Sequence, residues 1–352
     1  MIKNYHKIEK NEKISRGNVT VVVGGQFGSE AKGKVISFLA DEFDIAVRTG
    51  SPNAGHTVLN SGKTYRLRQI PSTFINPNCI LCIGAGALIS LDVLNDEVKI
   101  TGTVGRLLID PQAGIIEDKH VAQERRLVQQ IGGTGKGCGA ALVHRIWRDD
   151  FKLAKNVLKG YKITNVADFL NEGINNGKNI IVEGTQGFGL SIYHGIYPYV
   201  TSRDTTAAKF LAEAGLSPTL VKEIILVIRT YPIRVAGNSG PLKNEISWDV
   251  LSNRIGNKVE ELTTVTRKVR RVAEFDIGVV KKAIQINRPT QIALQFLNYL
   301  FPRDKGKKSW ESLSDEAKKY IKKLERKLGV PITLIGTSKS SSGMIDLRDK
   351  TC

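Results

Sequence analysis

Short apolar runs alternate with amphipathic stretches along most of the chain. The runs are bounded by glycine, proline or polar residues, which is typical of buried strands in a parallel sheet, and the stretches between them favour helices. This alternation predicts an α/β fold with a large, mostly parallel central sheet and flanking helices. The predicted strands are 18–25, 44–48, 80–86, 107–110, 179–183, 223–230, 289–298 and 330–335, and the predicted helices include 118–131 and 309–328.

The chain is expected to form one domain after a short polar extension. Residues 1–17 are the predicted extension, and residues 18–345 continue without a repeat or a low-complexity linker. Since no stretch approaches the roughly 18 apolar residues of a membrane span, we expect a cytoplasmic protein, in the host cytoplasm if it is viral. Cys79 and Cys82 lie in an apolar run, which favours a core position over a C-x-x-C metal or redox site.

The charge of the chain indicates an anionic partner. The formal net charge is +18, which would suit either nucleic acid or small phosphorylated substrates. Lysines and arginines are scattered apart from a dense run at 303–327, and no basic motif is interleaved with aromatic residues. Nucleic acid is therefore the weaker candidate.

A glycine-rich loop follows the first predicted strand. The segment from Gly28 to Lys34 meets the spacing G-x-x-x-x-G-K, and a helical pattern begins at Val35. Glycines let backbone N–H groups approach a polyphosphate, so the loop predicts nucleotide binding. Val35 stands where an ordinary P-loop NTPase has a magnesium-binding hydroxyl, which argues against that class.

Further polar loops follow other predicted strands. The carboxyl ends of parallel strands share one edge of a sheet, so we expect these loops to surround one ligand site. His56, in the loop after the second strand, is the candidate general acid, because an imidazole can act on a substrate oxygen near neutral pH.

Taken in order, the loops resemble the signatures of the adenylosuccinate synthetase family, whose members join aspartate to the six-position of inosine monophosphate with a nucleoside triphosphate. The first loop resembles GxQWGDEGKGK, with Ser29 at the family's catalytic aspartate and Ala31 at a glycine. The other matching segments are 53–57, 132–139, 183–187, 193–202, 231–241, 263–271, 295–298 and 336–339. The resemblance implies a P-loop-like adenylosuccinate synthetase fold.

The resemblance also implies roles for individual residues. Catalytic roles fall on Ser29, Lys32, His56 and Gln186. Binding of the triphosphate donor falls on Gly28, Ser29, Glu30, Ala31, Lys32, Gly33, Lys34, Gly55, His56, Thr57, Gln295, Asn298, Gly336 and Ser338. Binding of the purine monophosphate falls on Ser29, Asn53, Gly133, Thr134, Arg148, Gln186, Thr201 and Val235. Binding of L-aspartate falls on Thr264, Val265, Thr266, Arg267, Lys268 and Arg270.

A metal ion and a second protomer are implied as well. Mg²⁺ would bridge the triphosphate, with Ser29 and the backbone oxygen of Gly55 as protein ligands. The expected assembly is a homodimer in which Arg148 is shared across the interface and completes the partner's phosphate site.

Ser29 decides which purine we expect as substrate. A serine cannot take the N1 proton of hypoxanthine unassisted at neutral pH, and its smaller side chain leaves room for a two-amino group beside N1. This resembles a branch of the family, known from bacteriophages that use diaminopurine in DNA, which acts on deoxyguanylate. The predicted substrate is therefore dGMP or GMP, and the product a succino-aminoadenylate.

The donor base pocket also departs from the family pattern. The family reads guanine with T-K-x-D, whereas this chain has Phe296 at the lysine and Asn298 at the carboxylate. Because an amide cannot accept both guanine donors, ATP or dATP is the predicted phosphate donor. The alternatives are an ordinary synthetase that uses inosinate and GTP, a nucleotide-binding homologue without activity, and a nucleic-acid-binding protein.

Overall fold

The computed structural model describes residues 18–263 and 268–350. The predicted extension, 1–17, lies outside them. The strands are β1 Val19–Gly24, β2 Ile45–Arg48, β3 His56–Asn60, β4 Lys63–Leu67, β5 Ile80–Ile83, β6 Leu88–Ile89, β7 Leu107–Ile109, β8 Gly114–Ile115, β9 Lys162–Ile163, β10 Ile180–Glu183, β11 Val221–Arg229, β12 Ile233–Arg234, β13 Glu245–Ile246, β14 Arg271–Ala273, β15 Gln291–Gln295, β16 Ile332–Gly336 and β17 Met344–Asp346. The helices are α1 Lys32–Phe38, α2 Leu91–Thr101, α3 Asp118–Ile131, α4 Cys138–Trp147, α5 Ala154–Val157, α6 Val166–Asn175, α7 Ala207–Ala214, α8 Trp248–Ile255, α9 Ile277–Asn287 and α10 Asp315–Leu328.

Ten strands form the central sheet, in the order β17-β16-β15-β11-β1-β10-β2-β5-β7-β9. Every neighbouring pair is parallel except β16 and β17, which are antiparallel at one edge. The predicted mostly parallel sheet with flanking helices is therefore confirmed. In the part of the chain that the structure describes, no helix is long and apolar enough to cross a membrane.

Both faces of the sheet are buried, which explains why the strands are continuous apolar runs. Along β1, Val21 and Val23 pack into one core and Val22 into the other. Helices α6, α7, α9 and α10 cover the first face, and α1 and α2 cover the second. Cys82 lies in β5, and both Cys82 and the preceding Cys79 are buried, so burial raises the pKa of each thiol.

Several predicted boundaries are wrong. The strand predicted over 80–86 stops at Ile83, and two other elements differ for local reasons. The strand predicted over 289–298 stops at Gln295, because Phe296 has a left-handed backbone (φ 61°) and a 3-10 turn follows. The helix predicted over 309–328 begins only at Asp315, since the Ser314 hydroxyl caps it by accepting a hydrogen bond from Ala317 N.

A buried carboxylate attaches the β3–β4 hairpin to the body of the domain. Glu97 of α2 accepts hydrogen bonds from the backbone N–H groups of Arg68, Gln69 and Ile70, which follow β4. The hairpin carries His56 and Thr57 on β3 and Arg66 on β4. The position of these three residues therefore depends on a helix that is remote from them in sequence.

We predict that Glu97→Ala lowers the free energy of unfolding by about 2–3 kcal/mol, because it leaves three backbone donors without their acceptor. Urea denaturation monitored by circular dichroism measures this. Glu172→Ala, an exposed glutamate of α6, is the matched control and should change stability by less than about 0.5 kcal/mol. Equal effects of the two substitutions would contradict the role of Glu97.

Candidate active site

A large cavity of about 680 Å³ lies beyond the carboxyl ends of the central strands. It brings together most of the residues that the sequence predicts for the three ligands. The predicted residues that line it are Gly28, Ser29, Ala31, Lys32, Gly33, Lys34, Asn53, Gly55, His56, Thr57, Gly133, Thr134, Gln186, Thr201, Val235, Lys268, Arg270, Gln295 and Ser338. Thr264, Val265, Thr266 and Arg267 lie outside the described residues, so their predicted contact with aspartate stays a prediction.

Four predicted residues do not line the cavity: Glu30, Arg148, Asn298 and Gly336. Gly336 lies behind the wall, where a Cβ atom would approach Gln295 Oε1 to 2.1 Å. Asn298 sits in the 3-10 turn after β15, and its Oδ1 is buried without a partner among the described residues. The wall at this end is therefore formed by Gln295 and Phe296 rather than by Asn298.

The phosphate loop joins β1 to α1, and the carboxylate of Glu30 stabilises it through hydrogen bonds. The buried carboxylate accepts hydrogen bonds from Gln26 N (3.1 Å), Gly28 N (2.8 Å) and Lys32 Nζ (2.8 Å). Gly28, Ser29 and Ala31 all have left-handed backbones. The carboxylate therefore faces the loop, and Glu30 shapes the loop rather than presenting its side chain to a ligand.

The two lysines of the loop lie in different surroundings. Lys32 Nζ donates to Glu30 and to the backbone oxygen of Gln186. Lys34 Nζ donates to the backbone oxygen of Ser338 (2.7 Å), and burial lowers its pKa to about 7. Lys34 therefore has no carboxylate partner among the described residues and gains from an anionic ligand.

His56 belongs to a buried cluster centred on Glu183, at the end of β10. Glu183 Oε1 lies 2.5 Å from His56 Nδ1 and 2.6 Å from Arg48 NH1. The same carboxylate accepts hydrogen bonds from Ser72 N (2.6 Å) and Ser72 Oγ (2.9 Å). Sequence reasoning missed Glu183 as a functional residue, although an acidic residue that ends an apolar strand is a signal for it.

The cluster sets the tautomer of His56. Burial, assisted by the charge of Arg48 and opposed by Glu183, lowers the pKa of His56 to about 4, so the ring is neutral near pH 7. Nδ1 faces the carboxylate and carries the hydrogen, which leaves Nε2 as an acceptor. Nε2 is buried without a partner among the described residues, while His56 lines the cavity. An acid role consequently requires Nε2 to take up a proton first.

Gln186 offers a second free acceptor. Its backbone is left-handed (φ 60°), and its side-chain Nε2 donates to Thr201 Oγ1 at 2.9 Å. Because that contact fixes the amide, Oε1 is oriented away from Thr201, and it is buried without a partner in the described part of the chain. Gln295, at the other end of the cavity, leaves both amide atoms without partners among those residues. Such unpartnered atoms are expected where a polar ligand belongs.

The residues predicted for Mg²⁺ offer only neutral oxygens. Ser29 supplies a hydroxyl and Gly55 a carbonyl. Asn53, which the sequence predicts for the monophosphate and not for the ion, adds a buried Oδ1 with no partner among the described residues. Mg²⁺ prefers oxygen ligands and is usually held by few protein groups together with substrate phosphates. These residues therefore fit the ion as minor ligands beside a bound triphosphate.

Arg148 lies away from its own cavity, at the exposed end of α4. The preceding residues Val143, Ile146 and Trp147 are 54%, 71% and 73% exposed. Tyr193 and Tyr197, from a separate segment, are 78% and 76% exposed. Val143, Ile146 and Trp147 share one face of α4 by their spacing, and an exposed apolar face of this kind can mark a surface for association.

Comparisons with known proteins agree on one family. The family model for adenylosuccinate synthetase matches residues 21–159 and 150–305. Adenylosuccinate synthetase from Methanocaldococcus jannaschii is 42% identical over 96% of this chain and 99% of its own length. The protein of the same name from Methanococcus vannielii is 43% identical over 94% of this chain and 99% of its own length.

Two solved structures share the fold. Fully ligated adenylosuccinate synthetase from Plasmodium falciparum has a TM-score of 0.84 at 25% identity, covering 94% of this chain and 100% of the other. The succinoaminodeoxyadenylate synthetase of cyanophage S-2L, bound to dGMP and to dATP as an energy donor, has a TM-score of 0.81 at 25% identity, covering 94% and 96%.

The lowered pKa of Lys34 predicts that a nucleoside triphosphate binds with proton uptake. At pH 8 the free lysine is mostly neutral, and phosphates beside Nζ favour its charged form, so up to about 0.9 proton is taken up per ligand. Affinity should consequently weaken as the pH rises above about 7. Calorimetry at pH 8 in two buffers with different ionisation enthalpies counts the protons.

Lys34→Met is expected to remove this uptake, whereas Lys281→Met, at an exposed lysine of α9, should retain it. Equal proton uptake by the wild-type protein and Lys34→Met would contradict the assignment.

Proposed function

The chain belongs to the adenylosuccinate synthetase family, and we propose that it joins L-aspartate to C6 of deoxyguanylate or guanylate with ATP or dATP as phosphate donor. The product would be an N6-succino-2-amino-(deoxy)adenylate, a precursor of diaminopurine nucleotides. The observation that carries the proposal is Ser29, a neutral hydroxyl in the cavity where the family pattern has a carboxylate.

The polar groups near Ser29 suit a purine with a two-amino group. The guanine ring presents two adjacent donors, N1–H and the two-amino group. Ser29 Oγ and Gln186 Oε1 are acceptors on the same cavity, and neither carries charge. Hypoxanthine lacks the amino group, so it would leave one of these acceptors without a partner. The dGMP bound to the phage synthetase of similar fold supports the same assignment.

The reaction we propose has two steps. The N1 proton of the purine leaves to water, the six-oxygen attacks the γ-phosphorus, the bond to the β-phosphate oxygen breaks, and the nucleoside diphosphate leaves. The neutral aspartate amino group then attacks C6, the C6–O bond breaks, and the amino proton leaves with the departing inorganic phosphate. The first step places negative charge close to Lys32 and Lys34, which stabilise it.

His56 acts at the transferring oxygen. Phosphate oxygens beside Nε2 favour its protonated form, and Glu183 stabilises the resulting imidazolium through Nδ1–H. Nε2–H can then donate a hydrogen bond to the six-oxygen or its phosphoryl group. Mg²⁺, held in part by Ser29 and Gly55, would neutralise charge on the triphosphate.

The donor pocket favours adenine. Gln295 leaves its amide oxygen and nitrogen unpaired, and an amide can accept from the six-amino group of adenine while donating to N1. Phe296 lines the same wall and offers a flat face to a base. The dATP in the phage synthetase is consistent with this reading.

We further propose a homodimer. The exposed apolar residues of α4 precede Arg148 directly, so a partner that covers them would also bring its own cavity close to Arg148. An Arg148 guanidinium supplied across the interface would complete the monophosphate site around Thr134 and Thr201. Both threonines line the cavity.

An ordinary adenylosuccinate synthetase that uses inosinate and GTP is the second candidate, favoured by the names of relatives that are 42% and 43% identical. Incubation of the purified protein with aspartate, ATP and either dGMP or inosinate, followed by mass spectrometry, separates the two. The proposal predicts a succino-aminodeoxyadenylate from dGMP. A succino product from inosinate alone would establish the second candidate, and no product from any pairing, GTP included, would leave a binding protein.

Ser29→Asp should shift the preference from dGMP towards inosinate. The carboxylate can accept the N1 proton of hypoxanthine and crowds the two-amino group of guanine. We expect kcat/KM for dGMP relative to inosinate to fall by about ten-fold or more, the size of one lost hydrogen-bonded contact. Ser29→Ala is the control without a carboxylate and should lower both rates without improving inosinate. An unchanged ratio in Ser29→Asp would show that Ser29 does not select the purine.

ATP or dATP should exceed GTP as donor by roughly ten- to hundred-fold in kcat/KM, because guanine finds no carboxylate in the described wall formed by Gln295 and Phe296. Steady-state rates at matched nucleotide concentrations measure this. Gln295→Leu, which removes the amide, should reduce the preference for the adenine nucleotides. Equal or better activity with GTP in the wild-type protein would contradict the assignment.

A further inference from the structure

Arg229 ends β11, its side chain is fully buried, and it lies behind the cavity wall rather than in it. Its backbone is tied to the phosphate loop through Gln26: Arg229 N donates to Gln26 Oε1 (2.9 Å), and Gln26 Nε2 donates to Arg229 O (3.1 Å). The two hydrogen bonds of the Gln26 side-chain amide therefore fix the backbone of Arg229 relative to β1 and the phosphate loop.

The guanidinium of Arg229 contacts three separate segments. NH1 donates to the backbone oxygen of Ser29 (2.9 Å), in the phosphate loop. NH1 and NH2 both donate to the carboxylate of Glu261. The guanidinium carbon lies 4.0 Å from the ring centroid of Phe296, the residue after β15. One planar cation thus joins segments that are adjacent only in the folded chain, and a lysine could not make all three contacts.

The segments of Glu261 and Phe296 are also joined to each other through Tyr299. Glu261 also accepts from the Tyr299 hydroxyl (3.1 Å), and its backbone oxygen accepts from Arg270 N (2.9 Å). Although burial opposes ionisation, Arg229 holds the pKa of Glu261 below its ordinary value. Tyr299 in turn packs against Phe296, with ring centroids 5.4 Å apart.

These segments face different ligands in the proposed function, on which this step rests. Phe296 would face the donor base, Ser29 the purine, and the segment of Glu261 and Arg270 the amino acid. We infer that Arg229 is a positioning residue that couples the three ligand pockets. A base packed on Phe296 holds the ring against the guanidinium, and the guanidinium holds Ser29 and Glu261 in register.

The test is the coupling between two ligands. Calorimetry gives the Kd of a non-hydrolysable ATP analogue alone and with saturating dGMP, and the ratio is the coupling factor. We expect roughly a five-fold or larger factor in the wild-type protein, and less than about two-fold in Arg229→Lys. The Kd of the analogue alone should change far less in that variant. Arg254→Lys, at an exposed arginine paired with Glu274, is the matched control and should keep the wild-type factor.

Tyr299→Phe provides an independent variant, because Tyr299 does not line the cavity and the change removes only the hydroxyl bound to Glu261. Its coupling factor should lie between those of the wild-type protein and Arg229→Lys, with donor affinity unchanged. If Arg229→Lys does not fold, the coupling factor of Tyr299→Phe tests the inference by itself.

The inference would be overturned if Arg229→Lys kept the wild-type coupling factor. If only Tyr299→Phe folds, a wild-type coupling factor in that variant would overturn it. The absence of coupling between the two ligands in the wild-type protein would also overturn it. If dGMP is neither bound nor converted, the proposed substrate is wrong, and the same measurement with inosinate still tests Arg229.

Discussion

The site depends on one buried carboxylate. Glu183 accepts hydrogen bonds from Arg48 at the end of β2, from His56 at the start of β3 and from Ser72 in the turn after β4. Removal of one partner from a buried ion pair typically costs about 3–5 kcal/mol, so the three segments keep one arrangement. The same contact orients the imidazole through Nδ1, while burial keeps the ring neutral, and Nε2 is left without a partner among the described residues. The orientation of the His56 ring is therefore a consequence of how β2, β3 and β10 meet.

Much of the sheet could be predicted because its strands are buried on both faces. All six residues of β1 are buried, and a continuous apolar run of this length is typical of a strand covered on both faces. Helix α3 could be placed because its amphipathic pattern ends at Gly132, which adopts the left-handed backbone of a helix end. The end of β15 could not be predicted, since apolar Phe296 continues the pattern while its backbone leaves the strand.

The loops of the candidate site could be predicted from the sequence, but the buried residues that hold those loops in place could not. Glycine-rich segments indicate places where the backbone can approach a ligand closely, and the topology of the parallel sheet brings these segments to one edge. Glu183 and Arg229 are different, because each acts through contacts between segments far apart in sequence. A charged residue at the end of an apolar strand is the local signal for both, but that signal does not reveal which segments the side chain joins. Family membership likewise leaves the purine open, since we propose that the choice depends on a single side chain, Ser29, on the cavity wall.

The most direct test of this account is the specificity of the wild-type protein for two nucleotides that differ only in the two-amino group. The measurement is kcat/KM for deoxyguanylate and for deoxyinosinate, each with saturating aspartate and ATP. If the neutral acceptors Ser29 and Gln186 select that group, deoxyguanylate should be favoured by about ten-fold or more, as expected for one satisfied hydrogen bond. Equal values, or a preference for deoxyinosinate, would contradict the account.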